Sequence, residues 1–308
     1  MPDQKLTFSV IVPSRNEGDD IRLALESALQ QSYPAQEIIV IDDSTDQTPA
    51  IVKEYADRGV SLIDGPRQGC CGARNLGLKR ATGDVVILLN ADVVLPADFL
   101  KCLRPHYEHG ADYVLVESEV MNQDSPWARF IEMQHRWEYR GRDDIEWTEG
   151  FSCRRAAALS IGGIPGEFSL TFCRDWLLGR NLARAGFKKV IDRSILVRHK
   201  APPTFNEYWQ GRKARGRFGA LGQHFLWQRS LPYLAGKFLI KDLRTFLFFV
   251  TVMPVVWRVA RISAHSPQPA RDFLPFLVTF TLQEIARSLG EWQGLMIAWI
   301  TNRADRHS

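Results

Sequence analysis

Polar residues that can bind metals, phosphates or sugars stand at the ends of three apolar stretches. The stretches are FSVIVPSRNEG (8–18), EIIVIDDSTDQT (37–48) and VVILLNAD (85–92). Asp92 lies beside so many apolar residues that burying its carboxylate without a partner would be costly. Mg²⁺ or Mn²⁺ is usually held by one or two carboxylates together with phosphate oxygens and water. The sequence therefore predicts a cation at Asp92 that bridges a diphosphate, with Asn90 pointing to the same side of an extended chain.

Other residues near these endings could contact the rest of a nucleotide. Asp42 and Asp43 could accept hydrogen bonds from a base or a ribose. Arg15, Arg74 and the backbone amides of RQGCCGARN (67–75) could donate to phosphates.

The elements that must position these residues alternate between strand and helix. Continuous Val/Ile/Leu runs are typical of parallel strands covered on both faces. A helical pattern covers residues 19–31, and the pair Thr48 and Pro49 predicts a helix cap and first turn, with Gly59 as the stop. We therefore expect an α/β fold with a doubly wound, mostly parallel, Rossmann-like sheet. Ligands bind beyond the carboxyl ends of such strands, so the polar endings should share one crevice.

Further elements follow along the chain. The pattern predicts strands at 111–120 and 194–200 and helices at 126–139 and 175–185. We expect a first domain at 1–200, a basic amphipathic linker or active-site cover at 201–240, and an apolar helical tail at 241–308.

Charge is distributed unevenly between these parts. Residues 1–199 carry 24 basic and 29 acidic side chains, whereas residues 200–308 carry 15 basic and 6 acidic ones. A nucleic-acid role is not expected, because the first part is net acidic and the basic part is interleaved with apolar runs. Five cysteines without metal-site spacing favour a reducing cytosol, and no secretory signal is expected at the N-terminus.

Three ordered stretches carry a resemblance to a known family. VIVPSRNEGDDIRLALESALQQSYPAQEIIVIDDSTDQT, GARNLGLKRATGDVVILLNAD and IGGI followed by CRDWLLGRNLARAG together resemble family 2 glycosyltransferases over roughly residues 6–200. The resemblance implies a GT-A fold, an inverting transfer from a nucleotide-diphosphate sugar (UDP- or GDP-sugar), and Mn²⁺ or Mg²⁺ as cofactor.

The resemblance also implies roles for individual residues. The nucleotide pocket would be lined by Pro13, Arg15, Glu17, Asp42 and Asp43. Asn90-Ala91-Asp92 would be the Asp-x-Asp metal and ribose motif, with His199 as a further metal contact. Asp175 would be the general base that takes the acceptor proton.

Two positions depart from the family pattern. Asn90 replaces the usual first aspartate of the motif, and Arg174 replaces the glutamate that helps to place the acceptor. A catalytically impaired, membrane-attached nucleotide-sugar-binding subunit is therefore the alternative to an enzyme. A sugar nucleotidyltransferase would need a Gly-rich basic loop after the first strand, which PSRNEG does not supply.

The basic stretch 207–229 places Arg212 and Lys213 close together. We expect them to contact a phosphate of the donor or of a lipid, the alternative being a solvated face. The Gln-x-x-Arg-Trp motif of related polymer-making enzymes is matched only by Gln210, which gives little support to processive synthesis.

The tail has three charge-free runs, Thr245–Trp257, Phe273–Gln283 and Trp292–Asn302, all too short to span a bilayer. Their Trp and Arg borders favour interfacial or re-entrant helices on an anionic membrane surface. We therefore expect peripheral or monotopic attachment to the cytoplasmic side of the cell membrane and a lipid-linked or glycan acceptor. A helical subdomain packed on the catalytic domain, or a dimer interface, is the alternative.

Overall fold

A computed structural model of the chain describes residues 5–165 and 176–304. The chain divides into two compact units, Met1–Met121 with Arg142–Lys200 and Asn122–Gly141 with Ala201–Ser308. The domains expected from the sequence pattern, at 1–200, 201–240 and 241–308, stay predictions. The assignment of residues 122–141 to the second unit had no counterpart in that pattern.

The described part of the first unit contains an eight-stranded sheet of order β3-β2-β1-β4-β7-β6-β8-β5. The strands are β1 (Phe8–Ser14), β2 (Glu37–Asp42), β3 (Val60–Asp64), β4 (Val85–Leu88), β5 (Val93–Val94), β6 (Tyr113–Val120), β7 (Ser152–Arg154) and β8 (Lys189–His199). β7 runs antiparallel to β4 and β6, and β5 runs antiparallel to β8, while every other pairing is parallel. The predicted α/β fold with a mostly parallel sheet is confirmed.

Helices cover both faces of this sheet. They are α1 (Asp20–Leu29), α2 (Thr48–Lys53), α3 (Gly69–Arg80), α4 (Phe99–Glu108), α6 (Arg155–Ser160) and α7 (Trp176–Arg184). Val10 and Val12 of β1 pack in one apolar cluster, and Ile11 packs in the cluster on the opposite face. Covering on both faces explains why β1 is a continuous apolar run. α3 lies so close to β1 that a Cβ on Gly77 would be 2.3 Å from a methyl carbon of Ile11.

Two elements differ from the sequence-based prediction. Thr48 is the first residue of α2 and not its cap, because its hydroxyl accepts hydrogen bonds from the amides of Glu17 and Gly18 at 3.1 and 3.0 Å. These two bonds fix the loop after β1. The last strand, expected at 194–200, begins earlier, at Lys189, because residues 189–192 extend the parallel pairing with β6 before an irregularity in the register.

The second unit is helical in its described part, with α5 (Pro126–Glu138), α8 (Phe205–Phe225), α9 (Leu231–Val250), α10 (Met253–Ser263) and α11 (Pro269–Ala304). Phe130 of α5, Val259 of α10 and Phe276 of α11 share one apolar core. α8 and α11 meet backbone to backbone, since a Cβ on Gly290 would lie 1.9 Å from the carbonyl oxygen of Lys213.

None of the described helices is by itself long and apolar enough to cross a bilayer. α9 and α10 meet that length and composition only when taken together, and their axes are bent by 85°.

Candidate functional site

A cavity of about 430 Å³ opens at the carboxyl ends of β1, β2 and β4. Six of the residues predicted from the sequence line it, namely Pro13, Arg15, Glu17, Asp43, Asn90 and Asp92. Ser14, Ala91 and three residues of the first turns of α3 complete the lining, namely Gly69, Cys70 and Ala73. The three polar strand endings therefore meet in one crevice, as the parallel arrangement requires.

The cavity concentrates negative charge. The pKa of Glu17 is raised to about 7, mainly by burial and secondly by repulsion from Asp92. Burial, and then repulsion by Glu149, raises the pKa of Asp92 to about 6, although the nearby His199 acts in the opposite direction. Crowded, partly desolvated carboxylates of this kind gain from a bound cation.

These residues fit a divalent cation that takes one or two ligands from the chain and the rest from phosphates and water. Among the described residues, no group of three or more His, Cys, Asp and Glu side chains could hold a metal ion by itself. Asp92 is the carboxylate that would hold the cation, with Glu17 beside it.

Asn90 lies between a cation and an anion. Its carbonyl oxygen accepts a hydrogen bond from Arg74, and its amide nitrogen donates to a carboxylate oxygen of Glu149 at 2.7 Å. An amide satisfies both neighbours, whereas an aspartate would satisfy only Arg74. Asparagine at this motif position therefore matches its surroundings.

The expectation that residues 90–92 are extended is wrong. They form a turn in which the amide of Val93 donates to the carbonyl oxygen of Asn90 at 3.1 Å. Asn90 and Asp92 still line the same cavity, because the turn brings both side chains to it.

Arg74 is placed behind the cavity wall. It is 1% exposed, and its guanidinium lies 5.1 Å from the ring centroid of Trp147. It is not among the lining residues, and its contact with the donor stays a prediction. Its hydrogen bond to Asn90 connects it to a side chain that lines the cavity.

The two aspartates at the end of β2 have different environments. Asp42 is buried, and its carboxylate accepts hydrogen bonds from the hydroxyls of Ser14 and Ser44. Asp43 lines the cavity, and its Oδ1 accepts a hydrogen bond from the amide of Arg67 at 2.9 Å. A Cβ on Gly65 would lie 2.3 Å from that oxygen, so glycine is needed there to keep the Asp43 carboxylate in place. Asp43 is thus the better placed of the two for a ligand, and donor contact by Asp42 stays a prediction.

His199 ends β8, where it pairs with Val93 of β5. The next residue, Lys200, donates its amide to the carbonyl oxygen of Asp92 at 3.0 Å. This pairing connects the end of β8 to the Asn90–Asp92 turn. The role of His199 as a metal contact stays a prediction.

Four more of the predicted residues lie in other parts of the chain. Asp175 and Arg174 lie outside the described residues. Arg212 and Lys213 are on α8 of the second unit, where the Arg212 guanidinium lies 4.9 Å from the ring centroid of Tyr208. Their roles as base, acceptor contact and phosphate contacts stay predictions.

Sequence reasoning missed Glu149. It lies in WTEGF directly before β7, and it both holds Asn90 and raises the pKa of Asp92. The only signal in the sequence is a carboxylate that precedes a glycine and an apolar residue at the start of a strand.

A mostly parallel sheet with an acidic cavity at its carboxyl edge defines an α/β domain whose ligand site lies beyond the ends of the strands. The model of the family "Glycosyl transferase family 2" matches residues 9–162, half of the chain, and the chain belongs to this family.

A curated relative of known name is similar to this chain over part of its length. The chain is 30% identical over 129 residues to the Escherichia coli UDP-Glc:alpha-D-GlcNAc-diphosphoundecaprenol beta-1,3-glucosyltransferase WfgD, an alignment that covers 41% of this chain and 51% of WfgD. The chain therefore spans about half the length of this relative.

Two solved structures share the fold. One is mannosyltransferase PcManGT from Pyrobaculum calidifontis in complex with GDP-Man and Mn²⁺, with a TM-score of 0.55, 22% identity and coverage of 99% of this chain and 89% of that one. The other is S. aureus TarS 1–349 in complex with UDP-GlcNAc, with a TM-score of 0.51, 18% identity and coverage of 92% of each chain.

Proposed function

We propose that this protein is an inverting glycosyltransferase that moves a sugar from a UDP- or GDP-sugar to a hydroxyl of a lipid-linked or glycan acceptor. The observation that carries the proposal is the cavity in which Asp43, Asn90 and Asp92 meet although they are distant in the sequence. The solved neighbours with UDP-GlcNAc and GDP-Man support a nucleotide-sugar donor, and the name of WfgD supports a diphosphate-linked lipid acceptor.

Asp92, with Glu17 beside it, would hold Mn²⁺ or Mg²⁺, with His199 as a further contact. When bound, the cation would neutralise charge that develops on the leaving diphosphate. Asp43 offers carboxylate oxygens to a base or ribose, and the exposed guanidinium of Arg15 can donate to phosphate oxygens.

The remaining step is the attack of the acceptor hydroxyl on the sugar. Asp175 would take the proton of the acceptor hydroxyl while the oxygen attacks the anomeric carbon and the nucleotide diphosphate departs. One bond forms and one breaks on opposite faces of the sugar, so the anomeric configuration inverts. Arg174, Arg212 and Lys213 would contact acceptor or phosphate groups.

The test has a binding arm and a transfer arm. Binding of a panel of UDP- and GDP-sugars is measured by calorimetry with and without Mn²⁺, and transfer or donor hydrolysis is measured in parallel. We expect Asp92→Asn to lose Mn²⁺-dependent binding and about a hundredfold or more in rate. Asp57→Asn, an exposed aspartate of the 3₁₀ helix Ala56–Arg58, is the matched control and should change neither.

Asp175→Asn separates an enzyme from a binding subunit. We expect this variant to bind donor like the wild type and to lose transfer, because only the proton acceptor is removed. If wild type and Asp175→Asn bind nucleotide equally and neither transfers nor hydrolyses any donor, the protein is a binding subunit. If no nucleotide binds, the cavity is not a donor site and the proposal fails.

A further inference from the structure

Helix α9 exposes a row of large apolar side chains, although its opposite face is already packed. Leu239, Ile240, Leu243, Phe246, Leu247 and Val250 are between 52 and 63% exposed. Their spacing of three and four residues puts them on one stripe along the helix. Leu234 and Phe238 occupy the opposite face and are buried against Ala220 of α8.

The exposed stripe continues around the bend into α10. Val252, Met253 and Trp257 are 56, 72 and 61% exposed. The other face of α10 is anchored, because Val255 and Val259 pack in the core of the second unit. We call this bend, residues 246–257, the apolar elbow. Its exposed side chains, which are Phe246, Leu247, Val250, Val252, Met253 and Trp257, are held outward because the opposite faces of both helices are packed.

Along the chain at the apolar elbow, charge has one sign. Residues 243–271 contain four arginines and no aspartate or glutamate. Arg244 is exposed and lies one helical turn from Ile240 and Leu247 on α9. Arg261 is also exposed, and its guanidinium lies 5.9 Å from the ring centroid of Trp257. A partner for this surface must have an apolar region that the exposed side chains can enter, with negatively charged groups at its border.

A bilayer with anionic headgroups supplies both properties. A contiguous apolar surface of this extent on a protein marks an interaction site. Trp beside Arg is the pair typical of the headgroup level, where the ring stays in the interface and the guanidinium meets phosphate. The 85° bend lets two helices, neither of which is by itself long and apolar enough to cross a bilayer, lay one continuous apolar surface against a single leaflet.

We propose that the apolar elbow inserts into one leaflet of an anionic membrane, with Arg244 and Arg261 on lipid phosphates, and so attaches the protein to the membrane surface. The anionic cytoplasmic leaflet is the surface that matches this charge. The inference does not depend on the donor or on the reaction.

Vesicle co-sedimentation of the full chain tests it, with vesicles of phosphatidylglycerol and phosphatidylcholine compared with phosphatidylcholine alone. We expect binding to the anionic vesicles and a decrease of about tenfold for Leu247→Glu or Met253→Glu, because each places a charge where a large apolar side chain enters the lipid. Leu23→Glu is the matched control, since Leu23 of α1 is 50% exposed but lies in the other unit, and it should bind like the wild type.

Arg244→Glu combined with Arg261→Glu should reduce binding to anionic vesicles by about fivefold or more and remove the difference between the two vesicle types. Retained nucleotide binding and an unchanged circular dichroism spectrum show that a variant is folded. The proposal is overturned if the wild type does not co-sediment with either type of vesicle. It is overturned as well if the wild type is a lipid-independent dimer that Leu247→Glu converts to a monomer, because the elbow would then be a protein interface.

Discussion

Asn90→Asp should destabilise the metal-free protein even though it adds an aspartate to the turn. The amide of Asn90 donates to Glu149 at 2.7 Å, and its carbonyl oxygen accepts from Arg74. Two like charges about 4 Å apart repel by about 4 kcal/mol at an effective dielectric constant of 20, and the new attraction to Arg74 is of similar size. The two charge terms therefore roughly cancel, and the lost hydrogen bond to a charged group remains, at about 1.5–3 kcal/mol.

Thermal unfolding followed by circular dichroism measures the effect. In EDTA we expect the Tm of Asn90→Asp to be lower than that of the wild type by about 3–10 °C. Excess Mn²⁺ should raise the Tm of the variant more than that of the wild type, because the added carboxylate offers the cation another anionic oxygen near Asp92.

A second substitution isolates the pair. Glu149→Gln in the Asn90→Asp background restores a donor opposite the new carboxylate and should recover most of the lost Tm, giving a coupling energy in a double-mutant cycle. An unchanged Tm for Asn90→Asp in EDTA, or a coupling energy near zero, would refute the assignment of the Asn90 amide to Glu149.

Three further outcomes follow from the packing and the charges. Glu17→Gln should be about 1–3 kcal/mol more stable than the wild type above pH 7 in EDTA and equal to it near pH 4.5, because burial raises the pKa of Glu17 to about 7 and its penalty exists only when it is ionised. Denaturant titrations across this range measure it, and a gain independent of pH would contradict it. Gly65→Ala should weaken donor binding about tenfold or more in calorimetry, because its Cβ would lie 2.3 Å from the Asp43 carboxylate, and unchanged affinity would remove Asp43 from the site. Gly290→Ala should destabilise the second unit by about 1–3 kcal/mol, because its Cβ would lie 1.9 Å from a carbonyl oxygen of α8, and unaltered unfolding would show that the two helices are further apart.

The crevice could be predicted from the sequence because its causes are local. Each apolar run is long enough to be a buried strand, and each ends in polar residues within one or two positions. Parallel strands bring such endings to the same edge whatever the connecting helices are. Glu17, Asp43 and Asp92 therefore meet as expected.

The network around Asn90 could not be predicted, because its members come from separate parts of the chain. Arg74 is 16 and Glu149 is 59 residues away from Asn90. Glu149 reaches the site because β7 runs antiparallel beside β4, and no periodicity in the sequence indicates the direction of a three-residue strand. The sequence showed that asparagine had replaced an acid, and only the neighbours explain why an amide is suitable there.

Helix α9 shows a different limit. A helix that is apolar on most of its circumference is either a core helix or one that meets lipid or a partner, and the sequence does not say which face is covered. That choice depends on its packing partners, and those fix Leu234 and Phe238 inward. The stripe from Leu239 to Val250 is then directed outward by the helical period alone. The sequence could therefore indicate an apolar tail, but which of its apolar faces is left exposed as a candidate membrane surface is a property of the packed unit.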